Sequence, residues 1–403
     1  MQGNGRKGFY TAAIYFMMFT ASVCTTTQGV MLTQYIEYYD LKSVEQGLMS
    51  AFQSGGNLAA LFFLGVLLRK LKKREIFMIT AVLIPCVFFM FGMRVELPFF
   101  LSGYFVYGVV FGFLDSLASS TMVDLYPENS SLYMNLLHGI YGLGGLAGPL
   151  ILKRLSLKGL EWNELLTAAG VMAAAAFAFY GLAVFFSKEM SAGCRVEEKI
   201  TAGDMADFLR DKRKRGLFCC AFLYGAHQIG ITVWMTRYIT IYLKEPAPGG
   251  VVLSVFWVCV AFSRLVFPRF KWKNETALWA GHLISGLAVL AGVLSADGLV
   301  MVICTGISGL AEGMILPLTL DMGCHFEMKH TSLGSSMVLL AHYAGFIITP
   351  LIMGALISEA SISAGMVLPA VLSLAAAALM YTLCKRPDNQ KFTVDGRNSD
   401  GIM

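Results

Sequence analysis

Gly112-Phe113-Leu114-Asp115, followed by Asp124, recurs further along the chain as Gly309-Leu310-Ala311-Glu312, followed by Asp321. Both copies follow the pattern G-x-x-[DE]-x8-D at a constant offset of 197 residues (112 to 309, 115 to 312, 124 to 321). Each copy lies in an apolar run, 97–123 and 298–320, broken by one internal carboxylate. Next to each copy, Gly144 and Pro149 match Gly345 and Pro350 at an offset of 201 residues (144 to 345, 149 to 350). Ionisable and helix-breaking residues thus fall in corresponding places, as expected of a duplicated unit.

The chain around these copies has 403 residues, 56% hydrophobic and 14% charged. A soluble chain carries roughly 25% charged residues, so aqueous enzymes, disordered chains and nucleic-acid binders are excluded as classes. A helix needs about 20 apolar residues to cross the hydrocarbon layer. Cutting the chain at its charges gives runs at 8–36, 46–68, 76–93, 97–123, 129–152, 165–187, 216–236, 246–263, 276–296, 298–320, 330–358 and 360–384. These are taken as spans 1 to 12. The polar stretch 188–215 then divides 1–187 from 216–385 as a linker with room for an amphipathic surface helix, and 386–403 is expected to be a disordered tail. The first run has no small-residue cleavage site after it and is taken as a retained span.

With the N-terminus in the cytoplasm, 24 of the 31 basic residues fall inside, six fall outside and Arg237 falls within a span. The opposite topology inverts this bias, so both termini are expected to be cytoplasmic and the chain a multi-pass protein of the plasma membrane. The nine cysteines form no C-x-x-C pair and no metal-ligand spacing, and the vicinal Cys219-Cys220 sits in an apolar run. No disulfide framework, metal site or cofactor is expected.

Three further stretches carry a family resemblance: Leu41-Lys42-Ser43-Val44-Glu45-Gln46-Gly47 leading into span 2; Met134-Asn135-Leu136-Leu137-His138-Gly139 with Gly142, Gly144, Gly148 and Pro149 in span 5; and Tyr224-Gly225-Ala226-His227-Gln228 with Trp234 and Tyr238 in span 7. Over nearly its whole length the chain resembles the major facilitator superfamily, and the last two stretches are similar to its fucose-permease-like branch. The resemblance implies an all-α membrane protein with twelve transmembrane helices in two pseudo-symmetric six-helix bundles, spans 3, 6, 9 and 12 outside and spans 4, 7 and 10 around a central cavity. The charges divide the same way: spans 4, 7 and 10 hold Asp115, Arg237 and Glu312, while spans 3, 6, 9 and 12 hold no charge between their ends. Two departures stand out. The loop after span 2 has Arg69 and Lys72 where the family usually has an Asp and a Gly, and Gln228 stands where the branch commonly has a Glu.

Ionisable groups cost about 2.5–3.5 kcal/mol at the centre of a span on insertion scales, so each asks for a role. Asp115 and Glu312 are either protonatable coupling sites or carboxylates held in fixed helix–helix contacts. Asp124 and Asp321 lie nine residues on, facing the opposite side near the inner end, and are expected to bridge to the basic loops through Arg69 and Arg264 as inner-gate contacts. Arg237 either holds an anionic substrate group or snorkels to the outer interface. His138, His227 and His342 fall in spans of cavity type and are either substrate ligands or packed, hydrogen-bonded residues. Gln28, Gln53, Asn57, Asn135 and Gln228, with Tyr141, Trp234, Trp257 and Tyr343, offer amides and rings that suit a polyhydroxylated solute, or else serve as interhelical glue.

Three patterns are set aside. Gly142-Leu143-Gly144-Gly145-Leu146-Ala147 matches a loose nucleotide-binding pattern but lies within a span with no preceding strand. Asn129-Ser130-Ser131 and Asn274-Glu275-Thr276 match the glycosylation pattern but fall on the cytoplasmic side, and no phosphate-binding loop of the ATPase type occurs. The expected function is therefore not enzymatic. It is secondary active transport of a small polar solute, a sugar or related metabolite, by proton-coupled symport across the lipid bilayer, by a monomer. An exporter driven by proton antiport is the first alternative, since Gly139, Gly144 and Gly148-Pro149 partly match the antiporter pattern in span 5. A non-transporting sensor of the same fold is the second.

Overall fold

The computed structural model describes residues 2–41, 48–186, 201–270, 272–359 and 362–385. The expectations placed on residues 42–47, on 188–200 of the linker and on the tail 386–403 lie outside these. Among the described residues there are twelve helices long and apolar enough to cross a membrane. They are Gly5–Gln28, Leu48–Leu68, Lys73–Gly92, Leu97–Leu125, Ser130–Ser156, Trp162–Phe186, Lys212–Tyr242, Pro246–Arg269, Asn274–Ser295, Gly298–Phe326, Thr331–Leu356 and Ile362–Leu383, spans 1 to 12 from here on. Large apolar side chains such as Phe62, Phe63, Leu182, Phe185 and Leu294 are exposed on the outer surface, as a hydrocarbon surround requires.

The duplication seen in the sequence is a duplication of packing. Span 1 packs on spans 5 and 6 as span 7 packs on spans 11 and 12, span 2 on span 4 as span 8 on span 10, and span 3 on span 6 as span 9 on span 12. The two halves meet chiefly through spans 2, 4 and 5 of the first and spans 8, 10 and 11 of the second. Spans 3, 6, 9 and 12 stay on the periphery of these joining contacts. Close approach inside a half depends on missing side chains: a Cβ at Gly225 would run into the carbonyl of His342, and one at Gly345 into the carbonyl of Phe222. Spans 7 and 11 thereby bring the Tyr224 and His342 rings into a stack, centroids 5.4 Å apart.

Span boundaries differ from the charge-cut runs at three places. Span 1 ends early, and after a break at Met31 a second helix, Leu32–Tyr39, leads to Asp40 in the left-handed region (φ 51). Span 7 runs past Arg237 as a π-helix, Tyr238–Tyr242. Span 10 continues beyond its carboxylate but in two pieces, Gly298–Glu312 and Ile315–Phe326. Pro317 has no N–H to give to the carbonyl four residues earlier, and that carbonyl belongs to Gly313, at the break. Before span 7, the surface helix Ala202–Arg210 buries Phe208 against Leu333 and Met337 of span 11. Asp211 then caps span 7 by accepting from the backbone N–H groups of Arg213 and Lys214.

Replacing Gly225 with Val should lower the melting temperature of the purified protein by an amount equivalent to about 1–3 kcal/mol, the usual size of an overpacking defect. Gly250→Ala, at a glycine with open space around it, should leave melting nearly unchanged. Equal effects from the two would contradict the close approach of spans 7 and 11.

Candidate functional site

Serines form a seam between the halves. Ser116 Oγ of span 4 lies 2.9 Å from Ser335 Oγ and 3.0 Å from Ser336 Oγ of span 11, and Ser335 donates to the Ser116 carbonyl at 3.0 Å. One turn on, Ser120 and Ser332 are 3.3 Å apart. Small hydroxylated side chains suit this position because they let backbones approach and still satisfy polar atoms.

At the end of the seam lies a buried ion pair. Lys73, the first residue of span 3, donates to Asp124 Oδ2 at 2.8 Å and to Thr331 Oγ1 at 2.8 Å, and Thr331 in turn donates to Asp124 Oδ1 at 3.0 Å. Lysine and aspartate are 4% and 2% exposed. Asp124 was expected to face Arg69; the structure gives it Lys73, the basic residue of that cluster whose position at a helix start turns it inward, while Arg69 lies exposed in the turn after span 2. The second half repeats the arrangement without the cation. Asp321 accepts from Asn274 Nδ2 at 3.1 Å, Asn274 being the first residue of span 9, and His325 Nδ1 lies 3.5 Å from Asp321 Oδ1. Asp321 therefore does not meet Arg264.

Arg264 is released for another place. Its backbone lies in the last turns of span 8, but its guanidinium reaches inward, Nε donating to the Gly313 carbonyl at 2.9 Å and Nη1 to the His138 carbonyl at 3.2 Å. The Gly313 carbonyl is the one that Pro317 leaves without a helical donor. Arg264 is thus a buried residue, 5% exposed, that links the break in span 10 to span 5 of the other half. The sequence placed it with the cytoplasmic flank because it closes a charge-free run. The available signal was the Gly313–Pro317 spacing in span 10.

Of the expected site residues, Asp115, His138, His342 and Tyr141 lie within electrostatic reach of this cation. Asp115 accepts from the Tyr343 hydroxyl at 3.2 Å across the two halves, and its other carboxylate oxygen is buried without a partner. His138 Nε2 is 3.4 Å from Ser119 Oγ. His342 Nδ1 is buried and unpartnered, and its ring is stacked on Tyr224. Gln228 donates to the Tyr224 hydroxyl at 2.8 Å. Tyr141 packs half-buried against Phe111, and Trp257 lies two turns before Arg264 on the same face of span 8, 43% exposed. Gln53 and Asn57 share a face of span 2 where span 4 presents Gly108 and Gly112, and Asn57 Oδ1 has no partner.

Other expected residues lie elsewhere. His227 is in the interior of the second half rather than at the cleft: Nδ1–H donates to the Pro369 carbonyl at 2.7 Å, and Nε2 lies 2.8 Å from Ser285 Oγ, which is 2.7 Å from Ser308 Oγ. Glu312 shares that interior; its Oε2 is 3.1 Å from His227 Nε2, an ion-pair distance without hydrogen-bond geometry, and both carboxylate oxygens lack hydrogen-bond partners. Asn135 donates to the Ser131 carbonyl of its own helix at 2.8 Å. Gln28 ties span 1 to Ser50 of span 2. Trp234 is half-buried with Nε1 unpartnered, and Arg237 is exposed beside its ring, 6.0 Å from the centroid, which is the snorkelling alternative. Lys73, Thr331 and the serine seam were not singled out from the sequence, and Tyr224 only as part of the span 7 stretch.

Two repeated six-helix halves, joined along one end and carrying buried ionisable groups between them, define a membrane carrier. The sequence profile of the Major Facilitator Superfamily matches residues 14–325, and the chain belongs to that superfamily. Among solved structures it resembles FucP in an outward conformation (TM-score 0.74, 15% identity, 94% of this chain and 100% of that one), elsewhere described as the E. coli fucose:proton symporter. It also resembles the human organic anion transporter MFSD10 (TM-score 0.72, 14% identity, 93% and 99% covered) and the proton:xylose symporter XylE (TM-score 0.72, 12% identity, 94% and 96% covered). No curated protein sequence gives a match.

If the Lys73–Asp124–Thr331 contact closes the inner end, Asp124→Asn should open it. Removing one partner of a buried pair costs about 3–5 kcal/mol. Cys324, buried with its thiol toward the Thr331 carbonyl, should then alkylate at least about tenfold faster, a change needing only about 1.4 kcal/mol. Peptide mass spectrometry after timed alkylation reads this directly, and an unchanged Cys324 rate would remove the gating role.

Proposed function

We propose that the protein is a proton-coupled secondary transporter of a small polar solute, a sugar or related metabolite, working by alternating access. The observation that carries this reading is the Tyr343–Asp115 hydrogen bond. It joins an ionisable group inside span 4 to span 11 of the opposite half, so its strength depends on the protonation of Asp115 and on the relative position of the halves. A proton on Asp115 weakens the contact by removing the charge that strengthens it, and rocking the halves breaks it. Protonation and conformation are thereby tied at one place. The resemblance of the fold to two proton symporters supports the same reading, as does the superfamily's repeat-built architecture, in which one half rocks against the other around a midplane site.

With both termini cytoplasmic, as the basic residues favour, the seam closes the inner end and the arrangement faces outward. Residues 1–187 and 216–385 then form the moving bundles, joined by the linker 188–215, and the protein acts as a monomer in the plasma membrane. The substrate touches Tyr141, His138, His342, Tyr343, Gln228 and Trp257 around Arg264, with Gln53 and Asn57 beside them. Glu312 and His227 hold a second proton position within the moving half: the imidazole and the carboxylate are buried together 3.1 Å apart.

In proteoliposomes, Asp115→Asn should abolish accumulation driven by a pH gradient while leaving solute exchange measurable, because the neutral amide keeps the contact but carries no proton. Glu312→Gln is expected to do the same. Uphill transport that persists in both variants would exclude proton coupling at these carboxylates. Accumulation only when the gradient is reversed would instead favour the export reading.

A further inference from the structure

A buried cation needs a counter-charge, and Arg264 has none in direct contact. Among the described residues no carboxylate comes within ion-pair range of its guanidinium. Asp321, the carboxylate expected to pair with it, is bound instead to Asn274. Of the five guanidinium N–H groups two are used on carbonyls and one meets the Tyr224 hydroxyl, which leaves two donors of a planar fork. Such a fork matches a carboxylate by two parallel hydrogen bonds.

The surroundings point the same way. Asp115, His138, His342, Tyr141 and Tyr224 lie within electrostatic reach of the guanidinium, from spans 4, 5, 11 and 7. Of these, Asp115 Oδ1 and His342 Nδ1 are polar atoms buried without partners. The residues about the cation keep a trace of access, 3% for His138, 4% for Asp115 and His342 and 5% for Arg264, whereas Glu312 and His227 in the helical interior have none. The residues that carry the unsatisfied atoms therefore border space that reaches solvent, as the interior pair does not.

We infer that the transported solute carries a carboxylate, that Arg264 receives it, and that hydroxyl groups on the same solute meet the amides and rings around it. This rests on the transporter reading and narrows its substrate to a small hydroxylated acid of the sugar-acid class. Charge balance then accounts for coupling. In the empty site Asp115 is the nearby negative charge that offsets Arg264. A carboxylate entering beside it would place two negative charges at one guanidinium, and a proton taken up by Asp115 removes that conflict. Solute and proton are thus bound together or not at all, and acidification strengthens solute binding.

The test uses the purified full chain and matched probes: D-gluconate, D-glucuronate and D-galactonate against D-glucose and D-galactose. The acids should raise the melting temperature, more so at lower pH, and the neutral sugars should not. Arg264→Gln should remove the shift. Arg264→Lys, which keeps the charge but not the fork, should weaken acid binding about tenfold or more. It also guards against a folding defect in the glutamine variant, since a purely structural role would lower the melting of the free protein without changing the shift caused by ligand. Equal stabilisation by neutral sugars, a shift that survives Arg264→Gln, or no shift with any acid overturns the inference. Proton uptake into proteoliposomes separates the two levels. If a neutral sugar drives it, undiminished in Arg264→Lys, the acid assignment fails and the transporter reading stands. If neither acids nor sugars drive it and none exchanges across the membrane, both fail.

Discussion

Hydrocarbon offers no hydrogen bonds, so every polar group that enters it has to be matched by another part of the same protein. That constraint organises the molecule. Backbone groups are matched within helices, and the few side chains that depart from apolar character are matched across helices. The seam between the halves, the Lys73–Asp124–Thr331 contact and the Tyr343–Asp115 bond are all such matches. Because these matches lie between the two halves, satisfying them fixes how the halves sit.

The same constraint explains the break in span 10. Pro317 removes a donor from span 10, and the freed Gly313 carbonyl draws Arg264 inward from the end of span 8. A helix break, a buried cation and a contact to the opposite half at His138 are therefore one feature with one cause. The duplicated halves differ in how they treat corresponding carboxylates. Asp124 takes a lysine and Asp321 an asparagine, while a hydroxyl at the start of a span in the opposite half, Thr331 or Ser130, meets each carboxylate. Arg264 meets neither carboxylate and reaches the Gly313 and His138 carbonyls instead.

Much of the architecture was legible in the chain itself. Twelve spans and two related halves follow from charge spacing and from the matched Gly, Pro and acidic positions, and the peripheral place of spans 3, 6, 9 and 12 from the family resemblance, with which the charges agree. The site was legible in part. Asp115, His138, Tyr141, His342 and Tyr343 gather around one region, as their presence in cavity-type spans suggested. His227 does not, because a membrane histidine on a suitable helix can face its own bundle as readily as the cleft, and here the Pro369 carbonyl and Ser285 hold it inside. Arg237 stays at the surface because its long side chain reaches the interface with little cost.

The sequence by itself determined which segments enter the membrane and which carboxylates go with them, since a short acid within a long apolar run has no route to water. Only the tertiary structure decided the fate of the cations at the run edges. Lys73 and Arg264 look like ordinary topology-setting flanks, yet both turn inward to oxygen atoms supplied by other helices. A lysine or arginine near a helix end is long enough to point either way. What settles the direction is whether a neighbour presents an unmatched acceptor within reach, and that depends on packing between residues far apart in the chain.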